Sequence, residues 1–252
     1  MAALPSIRTD IGVVVAAAGT GNRFGGDVPK QFRLLAGVAI LEHTLSRLLA
    51  MQPACVVVAL SGDSGLWSRI PSLARCDVVP GGASRSESVA SGLRRLQQNH
   101  DVGWVMVHDG ARPLITAADV ARLIDGVGCD PSGGLLALPV VDTVKRERDG
   151  AVDETIPREG VWLAQTPQLF PVETLSLALT GAGVDTATDE SSLVERLGLR
   201  PRLIAGRREN IKITHEADLA LAQHFLAEEQ SLSSKPDTAP GGLAGNETRA
   251  RQ

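Results

Sequence analysis

The chain has 252 residues, 43% of them hydrophobic, enough for one α/β domain of ordinary size with a sizeable core. A formal net charge of −4 and a pI near 5.8 exclude a global field that draws in nucleic acid or an anionic membrane, so an anion site must be built locally. The longest apolar runs, about eight residues, are too short to span a bilayer. MAALPSIRTD at the N-terminus lacks a basic region followed by an apolar stretch, so a cytoplasmic chain without a secretory signal is expected. Cys55, Cys76 and Cys129 lie far apart without C-x-x-C spacing. They read as buried free thiols in a reducing compartment, not as a disulfide frame or zinc site. The five histidines show no metal-ligand spacing.

In chain order, the first element is the apolar run Val13 to Ala18. It breaks into a loop carrying Gly19, Gly21, Gly25 and Gly26, with Arg23, and ends in Pro29-Lys30. Such a run bounded by glycines reads as a buried strand entering a tight turn. Glycines admit close backbone approach, and successive N–H groups form an anion nest; two cations beside it point to a polyphosphate. An ordinary strand–loop junction with two solvated basic residues is the other reading of this segment. Two familiar phosphate loops are excluded. Phe24 stands where the dinucleotide fingerprint needs its third glycine, and Lys30 lies between Pro29 and Gln31 instead of before Ser or Thr. Pro29 predicts an extended loop that lets Lys30 reach over a triphosphate from one side.

Helical spacing follows at Leu41, Leu45, Leu48 and Leu49, then a strand at Val56 to Leu60 and a short one at Val78–Val79. A helix is expected at Val89, Leu93 and Leu96, a strand at Trp104 to Val107, a helix at Val120, Leu123, Ile124 and Val127, and a strand at Leu135 to Leu138. Ser84-x-x-Glu87 and Thr116-x-x-Asp119 resemble capping boxes opening the second and third helices. This alternation predicts a Rossmann-like α/β fold, a mostly parallel sheet with helices on both faces. Ligands then bind at the carboxyl ends of the strands, where the glycine loop, HDGARP (108–113) and PVVDT (139–143) can converge. Residues 140–162 interrupt the pattern as a polar surface hairpin with Lys145, Arg146, Arg148 and Arg158. A helix from Thr214 to about Ala227 closes a domain covering 1–230. Ser231 to Gln252, rich in Ser, Pro, Gly and Ala, reads as a disordered tail.

The loop A-A-A-G-x-G-x-R-x-x-x-x-x-P-K-Q resembles that of nucleotidyltransferases that activate sugar and polyol phosphates. PGGASRSESV (80–89), VHDGARP (107–113), PVVDTVKR (139–146), LAQTPQLF (163–170), TDE (188–190) and NIKIT (210–214) narrow the match. Together, from about Ile11 to Leu226, they resemble the 2-C-methyl-D-erythritol 4-phosphate cytidylyltransferase family of the non-mevalonate isoprenoid pathway. The resemblance implies that CTP and methylerythritol phosphate give a cytidine-diphosphate polyol and pyrophosphate. The nucleophile is a phosphate oxygen already anionic at neutral pH, so no general base or covalent intermediate is needed. The chain accordingly shows no G-x-S-x-G elbow.

Carried over residue by residue, the resemblance matches Arg23, Lys30 and Lys212 to cations around the triphosphate and transition state. Gly19 and Gly21 match the backbone turn. Ala17, Ala18, Gly82, Arg85 and Ser88 match the cytidine pocket, while Ser84 caps its helix. Asp109 matches the aspartate near ribose and Mg²⁺. Arg112, Thr166 and Thr188 match contacts on the polyol-phosphate side. Thr143 and Arg158 match residues of an arm, residues 140–162, that crosses to a second subunit of a homodimer and helps complete its site. His108 reads as a structural histidine at a strand end. Three positions depart from the usual family pattern: Ala16 stands where many members have Pro, Gly110 where many have Ala, and Asn22 where some carry a second basic residue. Two rival readings share the fold. One is a cytidylyltransferase for ribitol 5-phosphate or another polyol phosphate; the other is a non-catalytic nucleotide-binding module.

Overall fold

The computed structural model describes residues 10–19, 28–61, 65–181 and 184–233. Arg23, Gly21 and the tail beyond Ser233 therefore lie outside the described residues. The first strand, β1 (Ile11–Ala17), is a run rich in β-branched valines. Its side chains alternate between faces, as a strand buried on both sides requires. Val13, Val15 and Ala17 enter one apolar cluster and Val14 enters the other. The neighbouring β4 (Cys55–Leu60) repeats the pattern, with Val56, Val58 and Leu60 on the first face and Val57 and Ala59 on the second.

The first face is covered by α1 (Ile40–Ala50) and α3 (Ala117–Val127), which bury Leu41, Leu45, Leu48, Val120, Leu123 and Val127. On the second face lie α2 (Arg85–Asn99) and α4 (Val172–Ala178) with α5 (Glu190–Glu195). The remaining strands of the seven-stranded sheet are β5 (Asp77–Pro80), β6 (Trp104–Asp109), β7 (Gly134–Pro139), β10 (Trp162–Pro171) and β11 (Arg202–Ala205). The order is β11-β7-β10-β6-β1-β4-β5. Only β10 is antiparallel to its neighbours. The expected mostly parallel, doubly covered sheet is the fold observed.

A small hairpin, β2 (Leu34–Leu35) and β3 (Val38–Ala39), precedes α1. A second hairpin, β8 (Val144–Arg148) and β9 (Ala151–Ile156), pairs only with itself and is almost wholly exposed, tied by Arg146–Glu154 and Arg148–Asp153 at 2.6 and 3.0 Å. It occupies the segment where the helical pattern stops. The closing helix, α6 (Glu216–Ser233), starts where Asp218 accepts hydrogen bonds from the N–H groups of Thr214 and His215, each at 2.7 Å. Ala222 and Leu226 pack it against Leu35, Ile40, Leu114 and Ile213.

Four local expectations need correction. The last helix continues through Ser233, so Ser231 to Ser233 belong to it and not to a tail. Cys129 is exposed and Cys55 and Cys76 only half-buried, though all three thiols are free. Lys30 opens a 3-10 turn, Lys30–Phe32, after an extended Pro29, instead of continuing the extended loop. Thr116 and Asp119 form a reciprocal capping box, but at Ser84 only half is made: its hydroxyl accepts from the Glu87 N–H at 3.1 Å, while the Glu87 carboxylate takes the N–H of Ala83 at 2.6 Å.

Candidate active site

After β1 the chain adds β4 and β5 on one side, then returns to place β6 on the other. The order reverses between β1 and β6, and a cavity of about 390 Å³ opens at their carboxyl ends. This is where open α/β sheets hold ligands. Ala17, Ala18 and Gly19 line it from the end of β1, Gly82, Arg85 and Ser88 from the turn into α2, Asp109 from the end of β6, and Lys30 and Lys212 from the flanking loops. The β5–α2 turn comes close because position 81 is glycine; a Cβ there would sit 2.0 Å from that of Ala18. Ser88 fixes the same turn, accepting from the Gly82 N–H at 3.0 Å and donating to the Ser84 carbonyl at 2.9 Å. Gln31, buried behind Lys30, donates to the Ala17 carbonyl at 2.9 Å.

Asp109 is the electrostatic centre. Its Oδ1 lies 3.0 Å from Arg85 Nε; its Oδ2 lies 2.9 Å from Lys212 Nζ and 3.5 Å from Arg112 Nε. Burial alone would raise the pKa of this carboxyl. Arg85, Lys212 and Arg112 override it and hold Asp109 well below the usual carboxylate range. The same Arg85 reaches Glu190 Oε1 through its other edge at 2.6 Å. Burial works to lower Arg85, but Glu190 and Asp109 raise it further, so it stays a cation. Glu190 is pushed up by burial, with Arg85 opposing.

The loop before α6 is pinned so that Lys212 meets this centre. Asn210, fully buried, donates to the Thr166 carbonyl at 2.8 Å, and its own carbonyl accepts from Arg112 at 2.7 Å. The Ile213 N–H donates to the Ala111 carbonyl at 2.9 Å. Thr166 sits where the β10 register shifts. Its hydroxyl accepts from the Asp109 N–H at 3.0 Å and donates to His108 Nδ1 at 3.1 Å. His108 Nε2 faces the Arg112 carbonyl at 3.1 Å, which can only accept, so the proton sits on Nε2. Burial lowers His108 to about 4, and the neutral ring spends both nitrogens inside the protein. It has no free nitrogen for acid–base work.

The structure therefore brings Ala17, Ala18, Gly19, Lys30, Gly82, Arg85, Ser88, Asp109 and Lys212 around one cavity, with Arg112 and Thr166 buried directly behind Asp109. Three other expected residues are not gathered there. Thr143 and Arg158 are exposed at the base of the β8–β9 hairpin, and Thr188 lines a separate cavity with Trp162, Asp189 and Arg200. PVVDT thus leads into the hairpin and not into the crevice. Gln31, Glu190 and Asn210 fall inside the motifs named above, but sequence reasoning gives them no role. The available signal is a polar side chain inside an otherwise apolar motif, which must find a partner when buried. Among the described residues no three metal-ligating side chains cluster. Asp109 is the one carboxylate among the lining residues that a hard divalent cation could use together with substrate phosphates, and such a cation would have to displace one of the protein cations already on its two oxygens.

A doubly covered parallel sheet whose reversal point carries glycine turns and converging cations defines a nucleotide-binding α/β enzyme. The family model for 2-C-methyl-D-erythritol 4-phosphate cytidylyltransferase matches residues 11–228, and the chain belongs to that family. It is 46% identical over 220 residues to the 2-C-methyl-D-erythritol 4-phosphate cytidylyltransferase of Chromobacterium violaceum, covering 85% of this chain and 96% of the relative. The protein of the same name from Laribacter hongkongensis is 48% identical over 219 residues, with 84% and 94% covered. Among solved structures, a 4-diphosphocytidyl-2C-methyl-D-erythritol synthase superposes with a TM-score of 0.75 at 33% identity, covering 88% of this chain and all of that one. The Francisella tularensis 2-C-methyl-D-erythritol 4-phosphate cytidylyltransferase gives 0.73 at 31%, with 85% and 99% covered.

Proposed function

We propose that this protein transfers the cytidylyl group of CTP to 2-C-methyl-D-erythritol 4-phosphate, releasing pyrophosphate and 4-diphosphocytidyl-2-C-methyl-D-erythritol. The observation that carries this reading is the meeting of Arg85 and Lys212 on Asp109, with Lys30 lining the same cavity at the β1/β6 reversal. The attacking phosphate is already an anion, so the protein's task is to seat two anions in line and offset charge on the α-phosphate and leaving group. Lys30 and Lys212, with Arg23 outside the described residues, supply that charge. Asp109 keeps Lys212 aimed and carries the carboxylate that would hold a divalent cation with the phosphate oxygens. That cation would neutralise phosphate charge as the pyrophosphate leaves.

Ala17, Ala18, Gly82, Arg85 and Ser88 form the cytidine side of the cavity. Arg112 and Thr166, behind Asp109, act on the polyol-phosphate side by holding the floor of the site. Thr143 and Arg158 are exposed and do not line the cavity of their own chain. This supports a homodimer in which the β8–β9 hairpin carries them to the partner's polyol phosphate. No helix among the described residues is long and apolar enough to cross a membrane. The free thiols support a cytoplasmic setting. Phosphorus NMR of CTP mixed with methylerythritol phosphate and enzyme tests the reading: paired diphosphate resonances should appear with pyrophosphate. CTP left unchanged would refute it.

A further inference from the structure

We propose that Glu190 is a positioning residue for CTP: it holds the Arg85 guanidinium so that Arg85 engages one oxygen of Asp109 and leaves the other to Lys212. The proposal rests on the CTP reading above. Glu190 is fully buried, and its Oε1 lies 2.6 Å from Arg85 Nη1. A carboxylate without solvent is costly to keep unless it is paired, so this contact is part of the folded arrangement. Its backbone is held firmly. Asp189 caps the first turn of α5 by accepting from the Ser192 N–H at 3.1 Å and is itself held by the Gln168 amide at 2.8 Å. Gln168 returns the contact by accepting from the Ser191 N–H at 2.9 Å. Through these bonds Glu190 is fixed to β10, beside the strand that ends in Asp109.

The guanidinium is a rigid fork that fits a single carboxylate bidentately. A second carboxylate on another nitrogen of that fork fixes the plane in which Arg85 lies. Glu190 takes Nη1, and with the plane of the guanidinium set in this way Nε meets Asp109 Oδ1 at 3.0 Å. Lys212 then keeps Oδ2 at 2.9 Å. Among the residues lining the cavity, Lys30, Arg85 and Lys212 face one carboxylate, Asp109, so the wall keeps a positive surface for an anionic nucleotide. Arg85 is the cation that connects this pair to the turn over the cytidine side, so losing Glu190 should be felt by CTP and not by the polyol phosphate.

The test measures CTP affinity by calorimetry for wild type, Glu190→Gln, Arg85→Ala and the double variant, with melting temperatures to verify folding. Glu190→Gln should weaken CTP about tenfold while the KM for methylerythritol phosphate stays within about twofold. The double variant should be no weaker than Arg85→Ala, because Glu190 acts only through Arg85. Additive losses, equal losses toward both substrates, or wild-type CTP affinity in Glu190→Gln would each overturn the proposal alone. Wild-type protein that binds no CTP would overturn the CTP reading and this proposal with it. Should Glu190→Gln not fold, Glu190→Asp, which keeps the charge but draws it away from Arg85, takes its place with the same expectations.

Discussion

Lys212 Nζ sits 2.9 Å from Asp109 Oδ2, joining the loop before the last helix to the end of the central β6 strand. The two side chains differ in exposure: Asp109 is almost fully buried, whereas 38% of the lysine side chain remains open to the cavity. The lysine is therefore anchored at one oxygen and still able to meet an incoming phosphate. Preorganised charge of this kind costs no rearrangement at the moment of reaction.

Lys212→Ala and Lys30→Ala should each lower kcat by about 10²–10³ while the fold is kept, the usual loss for one preorganised charge donor. Steady-state rates beside circular-dichroism melts check this. Near-wild-type turnover in either folded variant would remove that lysine from the site.

The β8–β9 hairpin makes few contacts with its own domain, and Arg158 at its base is exposed with its guanidinium on the Val141 carbonyl. Arg158→Ala should raise KM for the polyol phosphate more than for CTP. If the hairpin serves a partner, mixing this variant with Lys30→Ala should restore part of the activity, since each mixed dimer carries one site with both residues intact. An inactive mixture after demonstrated subunit exchange would place Arg158 outside the site.

His108 gives a pH dependence whose sign is fixed. Its pKa falls from the ordinary 6.5 of an exposed imidazole to about 4 in the fold, because burial disfavours the cation. Between those values the unfolded chain binds the extra proton, so stability present above pH 6.5 is lost as pH falls toward 4. The slope from this one group approaches about 1.4 kcal/mol per pH unit. Urea titrations of wild type and His108→Gln over that range should diverge, the variant being flatter. Parallel curves would mean the ring is not held neutral.

At Gly110 an added Cβ would come 2.9 Å from that of Ala17 and 3.1 Å from Leu41 Cδ1. Gly110 also donates to the Ala16 carbonyl at 3.0 Å and accepts from Thr44 at 3.0 Å, so the backbone cannot easily retreat. Gly110→Ala should therefore cost about 1–3 kcal/mol, the range for overpacking a core. An unchanged urea midpoint would show that the β1–β6 junction yields.

The strands and helices that carry the sheet are legible in the sequence because their apolar periods are long and clean, as at Val13–Val15 and Leu41-Leu45-Leu48. The β10 strand is not. Gln165, Thr166, Pro167 and Gln168 break its alternation because three of them turn polar side chains to His108, Asp189 and the Arg207 carbonyl. The four residues of β11 are too short a run for a periodicity to show. In the site, motif spacing locates Lys30, Arg85, Asp109 and Lys212, because each follows a recognisable turn or strand end. The Arg85–Glu190 pair is hidden because its members are 105 residues apart and meet only when α2 and α5 pack on the same face.

Pyrophosphate release by the purified protein, measured across the four nucleoside triphosphates with methylerythritol phosphate or ribitol 5-phosphate, tests the central claim most directly. The account predicts turnover with CTP and methylerythritol phosphate together, and little with any other pairing. Equal or faster turnover with ribitol 5-phosphate, or with another nucleotide, would contradict it.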